Sequence, residues 1–245
     1  MFTVEERDRA REYVLEKAKA DPRVVAGAEV GSLALGGGDR WSDLDLTFAV
    51  RDDVSIPELL AEWTSDLERV LDAAHLFDLL SGPMLYRVFL LPGLLQVDVS
   101  FTPAAEFRPR GPKFRLLFGE TGEAVYPQPP SEQELFGLAA HHAIRAWFSI
   151  ERGRLWQAEY LIGELRNYTL ELSCLRFGLP WRYGRGLDEL PPELTDAFGE
   201  TLVRSVERRE LCRALERAIE VLVRESEGAG EVATKLAPLL LQLVA

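Results

Sequence analysis

The stretch "GSLALGGGDRWSDLDL", residues 31–46, decides how the rest of the chain is read. It opens on a Gly-Ser step, passes through a glycine-rich loop and delivers two aspartates, Asp43 and Asp45, separated by one leucine. Side chains two apart on a strand share a face, so 42–50 ("SDLDLTFAV") reads as a strand with Asp43, Asp45 and Thr47 on one side. Leu44, Leu46 and Phe48 lie on the other. Two carboxylates on one face repel unless something positive stands between them.

Working outward, Val4–Ala20 reads as a charged amphipathic helix with Ala10, Val14, Leu15 and Ala18 on its apolar side, ended by Asp21-Pro22. Val24–Val30 ("VVAGAEV") is a buried strand running into Gly31-Ser32. Residues 57–71 form a helix, followed by strands at 75–80, 85–91 and 94–101. Pro92-Gly93 predicts a tight antiparallel turn between the last two strands. In "LLQVDVSF", residues 94–101, Gln96, Asp98 and Ser100 share a face, which supplies a third strand carboxylate. Asp78 interrupts an apolar strand and is compatible with either a cleft-facing or an edge position.

Pro- and Gly-rich segments at 102–114 and 126–133 flank "RLLF", a last short strand. Beyond them the periodicity turns helical, with a Ser131 to Glu134 capping box and helices over 132–149, 154–177, 191–200, 202–225 and 230–244. The expected architecture is α+β: an N-terminal domain at 1–128 and an all-helical domain at 129–245.

Composition narrows the functions. The 245 residues carry a formal net charge of −12, which argues against a broad nucleic-acid footprint, since phosphate neutralisation needs a basic face. No stretch approaches the roughly 18 apolar residues of a membrane span, and the N-terminus has no apolar signal core. The two cysteines, Cys174 and Cys212, have no metal-ligand spacing and read as buried thiols of a reducing compartment, so a cytoplasmic protein is expected. His141 and His142 are adjacent on a helix and point about 100° apart, so one packed and one exposed ring is expected rather than a chelate.

Three carboxylates converging on a sheet face are costly without cations. Hard divalent ions remove that cost: Mg²⁺ takes oxygen ligands and leaves places for substrate phosphates. Two such ions about 4 Å apart can serve both the attacking and the leaving oxygen of a displacement. At Gly31-Ser32, a strand end running into a short helix would turn free backbone N–H groups toward an anion, with the Ser32 hydroxyl beside them.

Gly31-Ser32, ten intervening residues, Asp43-Leu44-Asp45 and the later Asp98 resemble the DNA-polymerase-β-type nucleotidyltransferase superfamily. With a helical C-terminal half, the chain looks like the aminoglycoside and lincosamide adenylyltransferases within it. The motif covers residues 24–101; over the helical half the likeness rests on architecture alone. The resemblance implies a mixed nucleotidyltransferase sheet with flanking helices and a C-terminal helical bundle. It further implies that Asp43, Asp45 and Asp98 bind two Mg²⁺ ions, with Asp98 nearest the acceptor, and that Gly31 and Ser32 hold the triphosphate of ATP or another nucleotide.

Many relatives have a basic residue where Leu35 stands. Arg40, Lys113 or Arg115 would then have to supply that contact, and Arg182 and Arg185, on the loop "LPWRYGRGLDELPPE", could reach phosphates. On the helix "LWQAEYLIGELRNYTLELSCLRFG", Glu159 is the candidate general base by analogy with relatives, with Glu164 in reserve. Trp156 and Tyr160 on the same helix either join the core or stack on a base or sugar.

The expected reaction is transfer of AMP from ATP to a hydroxyl of a small molecule such as an aminoglycoside, releasing pyrophosphate. The rival readings are a protein- or tRNA-modifying enzyme of the antitoxin type and a non-catalytic nucleotide-binding module. A homodimer is compatible with either.

Overall fold

A computed structural model describes residues 1–244. The chain divides into two compact units, Met1–Gln128 and Pro129–Ala245. The first contains α1 (Val4–Ala20), β1 (Val24–Val30), β2 (Leu44–Val50), α2 (Ile56–Leu71), β3 (Ala74–Ser81), β4 (Met84–Leu91), β5 (Leu95–Pro103) and β6 (Phe114–Phe118). The second is helical: α3 (Glu132–Glu151), α4 (Leu155–Arg176), α5 (Pro192–Gly199), α6 (Arg208–Arg224) and α7 (Gly230–Gln242). The protein is thus α+β, a six-stranded mixed sheet with helices followed by a helical C-terminal region.

The strands run in the order β3-β4-β5-β2-β1-β6. Every neighbouring pair is antiparallel except β2 and β5, which run parallel in the centre. That one pairing sets Asp45 beside Asp98 and Thr47 beside Ser100. Alternation then divides the sheet by chemistry. Leu44, Leu46, Phe48, Val97, Val99 and Phe101 face α1 and α2, where they bury Val14, Leu59, Leu60 and Trp63. The Trp63 ring lies edge-on to Phe101, with centroids 5.0 Å apart. On the opposite face are the aspartates, the Thr47–Ser100 hydroxyl pair at 2.9 Å and a small cluster of Ala26, Ala28 and Ala49 under Phe107.

Local chemistry sets the helix ends. Thr3 caps α1: its hydroxyl accepts the Glu6 N–H at 3.1 Å, and the Glu6 carboxylate accepts the Thr3 N–H at 2.7 Å. Asp21 closes that helix and gathers the Arg23 N–H and guanidinium and the Trp63 Nε1. At α3, the Ser131 hydroxyl accepts the Glu134 N–H at 3.1 Å.

Several expectations need correction. Residues 31–36 form turns without a helix. Residues 202–207 are not helical, and α6 starts at Arg208. Tertiary bonds hold this segment irregular: Arg213 donates to the carbonyls of Glu200 (2.6 Å) and Leu202 (2.8 Å), and Glu210 accepts the Arg204 N–H at 3.0 Å. Cys174 is buried but Cys212 is exposed. Trp156 and Tyr160 do not join the helical core; they are 75% and 61% exposed. Of the two histidines, His141 is exposed and His142 is half-buried, stacked on Tyr168 at 5.4 Å. Among the described residues, no helix is long and apolar enough to cross a membrane.

Candidate metal and phosphate site

The structure brings Asp43, Asp45 and Asp98 together. Each offers a carboxylate oxygen within 4.8 Å of the others, and no other group of acids, histidines and cysteines among the described residues does the same. Asp45 and Asp98 are register partners on β2 and β5, and Asp43 immediately precedes β2. Asp98 is only 3% exposed.

Burial pushes the Asp98 carboxyl above its ordinary value. Hydrogen bonds from Tyr86 and Gln96 pull against that, while the charge of Asp43 adds to it. The Tyr86 hydroxyl donates to Asp98, and Gln96 Nε2 donates to both its oxygens, at 3.1 and 3.0 Å. The Tyr86 phenol is itself raised, first by burial, then by its bond to Asp98 and the charges of the three aspartates. Its proton therefore stays on Tyr86, and the hydroxyl serves as a donor that holds Asp98.

Gly31 sits directly against this cluster. Its φ is +72°, and a Cβ added there would stand 2.0 Å from Asp45 Oδ2. Only a residue without a side chain lets the turn approach the carboxylate so closely. Next to it, the Ser32 hydroxyl oxygen is buried and has no hydrogen-bond partner. A buried orphan hydroxyl calls for a ligand or a water. An all-oxygen donor set suits a hard divalent cation, and an unfilled hydroxyl beside a glycine turn suits an anion; these residues fit Mg²⁺ and a phosphate.

Arg40 is exposed and stacks over Trp41 at 4.0 Å. Lys113 is exposed and directly precedes Phe114, the register partner of Val30, which places its backbone at the Gly31 end of β1. Arg115 is not on the aspartate face: it binds Glu29, which also takes Arg11 Nε at 2.6 Å on the helix side. Asp78 takes the edge position on β3 and is paired with Arg87 at 2.6 Å. Glu159, Glu164, Arg182 and Arg185 belong to the second unit. There Arg182 lies over Trp181 at 4.6 Å, Arg185 over Tyr183 at 5.6 Å, and Glu164 accepts Asn167 Nδ2 at 3.4 Å.

Sequence reading missed Tyr86. Its only signal was a tyrosine on a strand adjoining the Asp98 strand, and register alone turns that into a contact.

Among solved structures, the chain is similar to the crystal structure of an aminoglycoside 6-adenyltransferase from Bacillus subtilis. Identity is 12%, over 95% of this chain and 96% of that one, and the TM-score is 0.43. No protein-family model matches the chain, and no curated protein does.

Proposed function

We propose that the protein is a divalent-metal-dependent nucleotidyltransferase that moves a nucleoside monophosphate, AMP from ATP, onto a hydroxyl of a small molecule. One observation carries the reading: three carboxylates within 4.8 Å of one another stand against a Gly-Ser turn whose serine hydroxyl is buried and unpaired.

Asp43, Asp45 and Asp98 would hold Mg²⁺, which when bound neutralises charge on the phosphates and the attacking oxygen. Ser32 Oγ and the amides at Gly31 donate to the triphosphate and orient its α-phosphorus. Asp98, held by Tyr86 and Gln96, stands where the acceptor hydroxyl is oriented for in-line attack. The acceptor oxygen bonds to the α-phosphorus as its bond to the bridging oxygen breaks, and pyrophosphate leaves. Positioning and charge neutralisation supply the rate. Lys113, at the Gly31 end of the sheet, and Arg40 are the proposed substitutes for the basic residue that Leu35 replaces. A general base takes the proton of the acceptor hydroxyl. The net charge of −12 accords with a polycationic acceptor such as an aminoglycoside.

The test is a pyrophosphate-release screen with ATP, GTP, CTP and UTP plus Mg²⁺ against an aminoglycoside and lincosamide panel. Turnover lost in Asp98→Ala supports the proposal. Nucleotide binding without turnover under any acceptor, unchanged in Asp98→Ala, overturns it in favour of a binding module. Self-labelling by radioactive ATP, with the panel silent, points to protein modification.

A further inference from the structure

Arg7 lies on α1 and is 6% exposed. Its Nη1 donates to the carbonyl oxygens of Asp39 at 2.6 Å and Ser42 at 3.0 Å, the two ends of the turn immediately before Asp43. That turn is also tied internally. The Asp39 carboxylate accepts the Trp41 N–H at 2.8 Å and the Ser42 hydroxyl at 3.1 Å, and Ser42 Oγ accepts the Asp39 N–H at 2.9 Å. One helical turn further along α1, Arg11 grips Glu29, two residues before Gly31. A single helix therefore holds both segments that meet at the site.

Arg7 is a poor device for stability alone. Its Nε is buried with no hydrogen-bond partner, and the Asp8 carboxylate, 4.0 Å away, is itself exposed. What the side chain does accomplish is to fix two carbonyls at a set distance with one planar group.

We propose that Arg7 is a positioning residue for Asp43: it clamps residues 39–42 so that the Asp43 carboxylate stays within reach of Asp45 and Asp98. The proposal rests on the metal-dependent reading of that cluster.

Full-length wild-type, Arg7→Met and Arg7→Lys proteins are titrated with Mn²⁺ by calorimetry, with thermal melting in parallel. Methionine fills similar space without donors, so Arg7→Met should melt within a few degrees of wild type and bind Mn²⁺ about tenfold or more weakly, as losses of outer-shell support do. Arg7→Lys should fall between the two, because a flexible ammonium holds two carbonyls less rigidly than a planar guanidinium. In pyrophosphate release, the Mg²⁺ concentration for half-maximal rate should rise in the same order, with the rate at saturating Mg²⁺ less affected. Equal Mn²⁺ affinity in all three proteins overturns the clamp while leaving the site's metal reading intact. A wild type that binds no Mn²⁺ overturns both. Should Arg7→Met fail to fold, Arg7→Lys decides: a wild-type affinity there refutes the clamp, and a weakened one at wild-type melting sustains it.

Discussion

Replacing Gly31 with alanine tests the site at its tightest point. A Cβ at residue 31 would lie 2.0 Å from Asp45 Oδ2 and 3.0 Å from its Cγ. The carboxylate must therefore retreat by more than about an ångström to reach ordinary contact, and a magnesium–oxygen bond of about 2.1 Å cannot follow it. The backbone adds a second cost, since alanine at positive φ is disfavoured by about 1–2 kcal/mol. Gly36 separates the two effects: its φ is +74°, and a Cβ there meets nothing within 4 Å. Gly36→Ala thus carries the strain alone. Gly36→Ala should lose a few degrees of melting temperature, and Gly31→Ala, which adds the clash with Asp45, should lose more. Only Gly31→Ala should lose Mn²⁺ affinity, by about tenfold or more, equivalent to about 1.4 kcal/mol or more. Calorimetric titration of metal-free protein reads this directly, and pyrophosphate release should fall in parallel. Equal Mn²⁺ affinity in the two alanine variants would refute the assignment of Asp45 as a ligand.

Asp21 offers a stability test away from the site. Its carboxyl is held down to about 2 from 3.8, chiefly by Arg23, so its contribution is present above pH 4 and lost as pH falls toward 2. Asp21→Asn should cost about 2 kcal/mol at pH 7 by the usual 1.36 kcal/mol per pKa unit, and denaturant titrations should show the gap closing between pH 4 and pH 2. The Tyr86 hydrogen bond lowers the Asp98 carboxyl, so Tyr86→Phe should raise it further and move the acid limb of the pyrophosphate-release profile to higher pH; an unmoved limb counts against Tyr86 as a donor to Asp98. Trp63, 1% exposed between Phe48 and Phe101, should cost about 3–5 kcal/mol on truncation to alanine, a loss readable as a lower urea midpoint.

Much of this architecture is legible in the sequence. Period-two alternation in "SDLDLTFAV" and "LLQVDVSF" fixes which residues share a face, because a one-residue slip would put Asp45 and Asp98 among Phe48 and Trp63. Pro92-Gly93 marks the β4–β5 turn for a similar local reason. What stayed hidden depends on partners distant in sequence. Tyr86 becomes relevant only through sheet order, and Arg7 only because α1 packs beside the loop at residues 39–42. Residues 202–207 carry a pattern compatible with helix, and the Arg213 guanidinium, which claims the carbonyls of Glu200 and Leu202, is invisible to periodicity. Arg115 misled for a simpler reason: basic composition near a glycine turn says nothing about which side of a sheet a residue takes.

The parallel pairing of β2 with β5 also has a temporal side. The antiparallel neighbours β3–β4 and β4–β5 are reached by short reversals of the chain, whereas Asp45 meets Asp98 only after α2, β3 and β4 have been synthesised and laid down. Closing so long an excursion is slow relative to hairpin formation. A nascent or partly unfolded chain consequently presents scattered acids with little grip on a divalent ion. On the proposed metal-dependent reading, tight cation capture would be a property of the finished molecule, and ion uptake would serve as a clock for the last stage of its maturation.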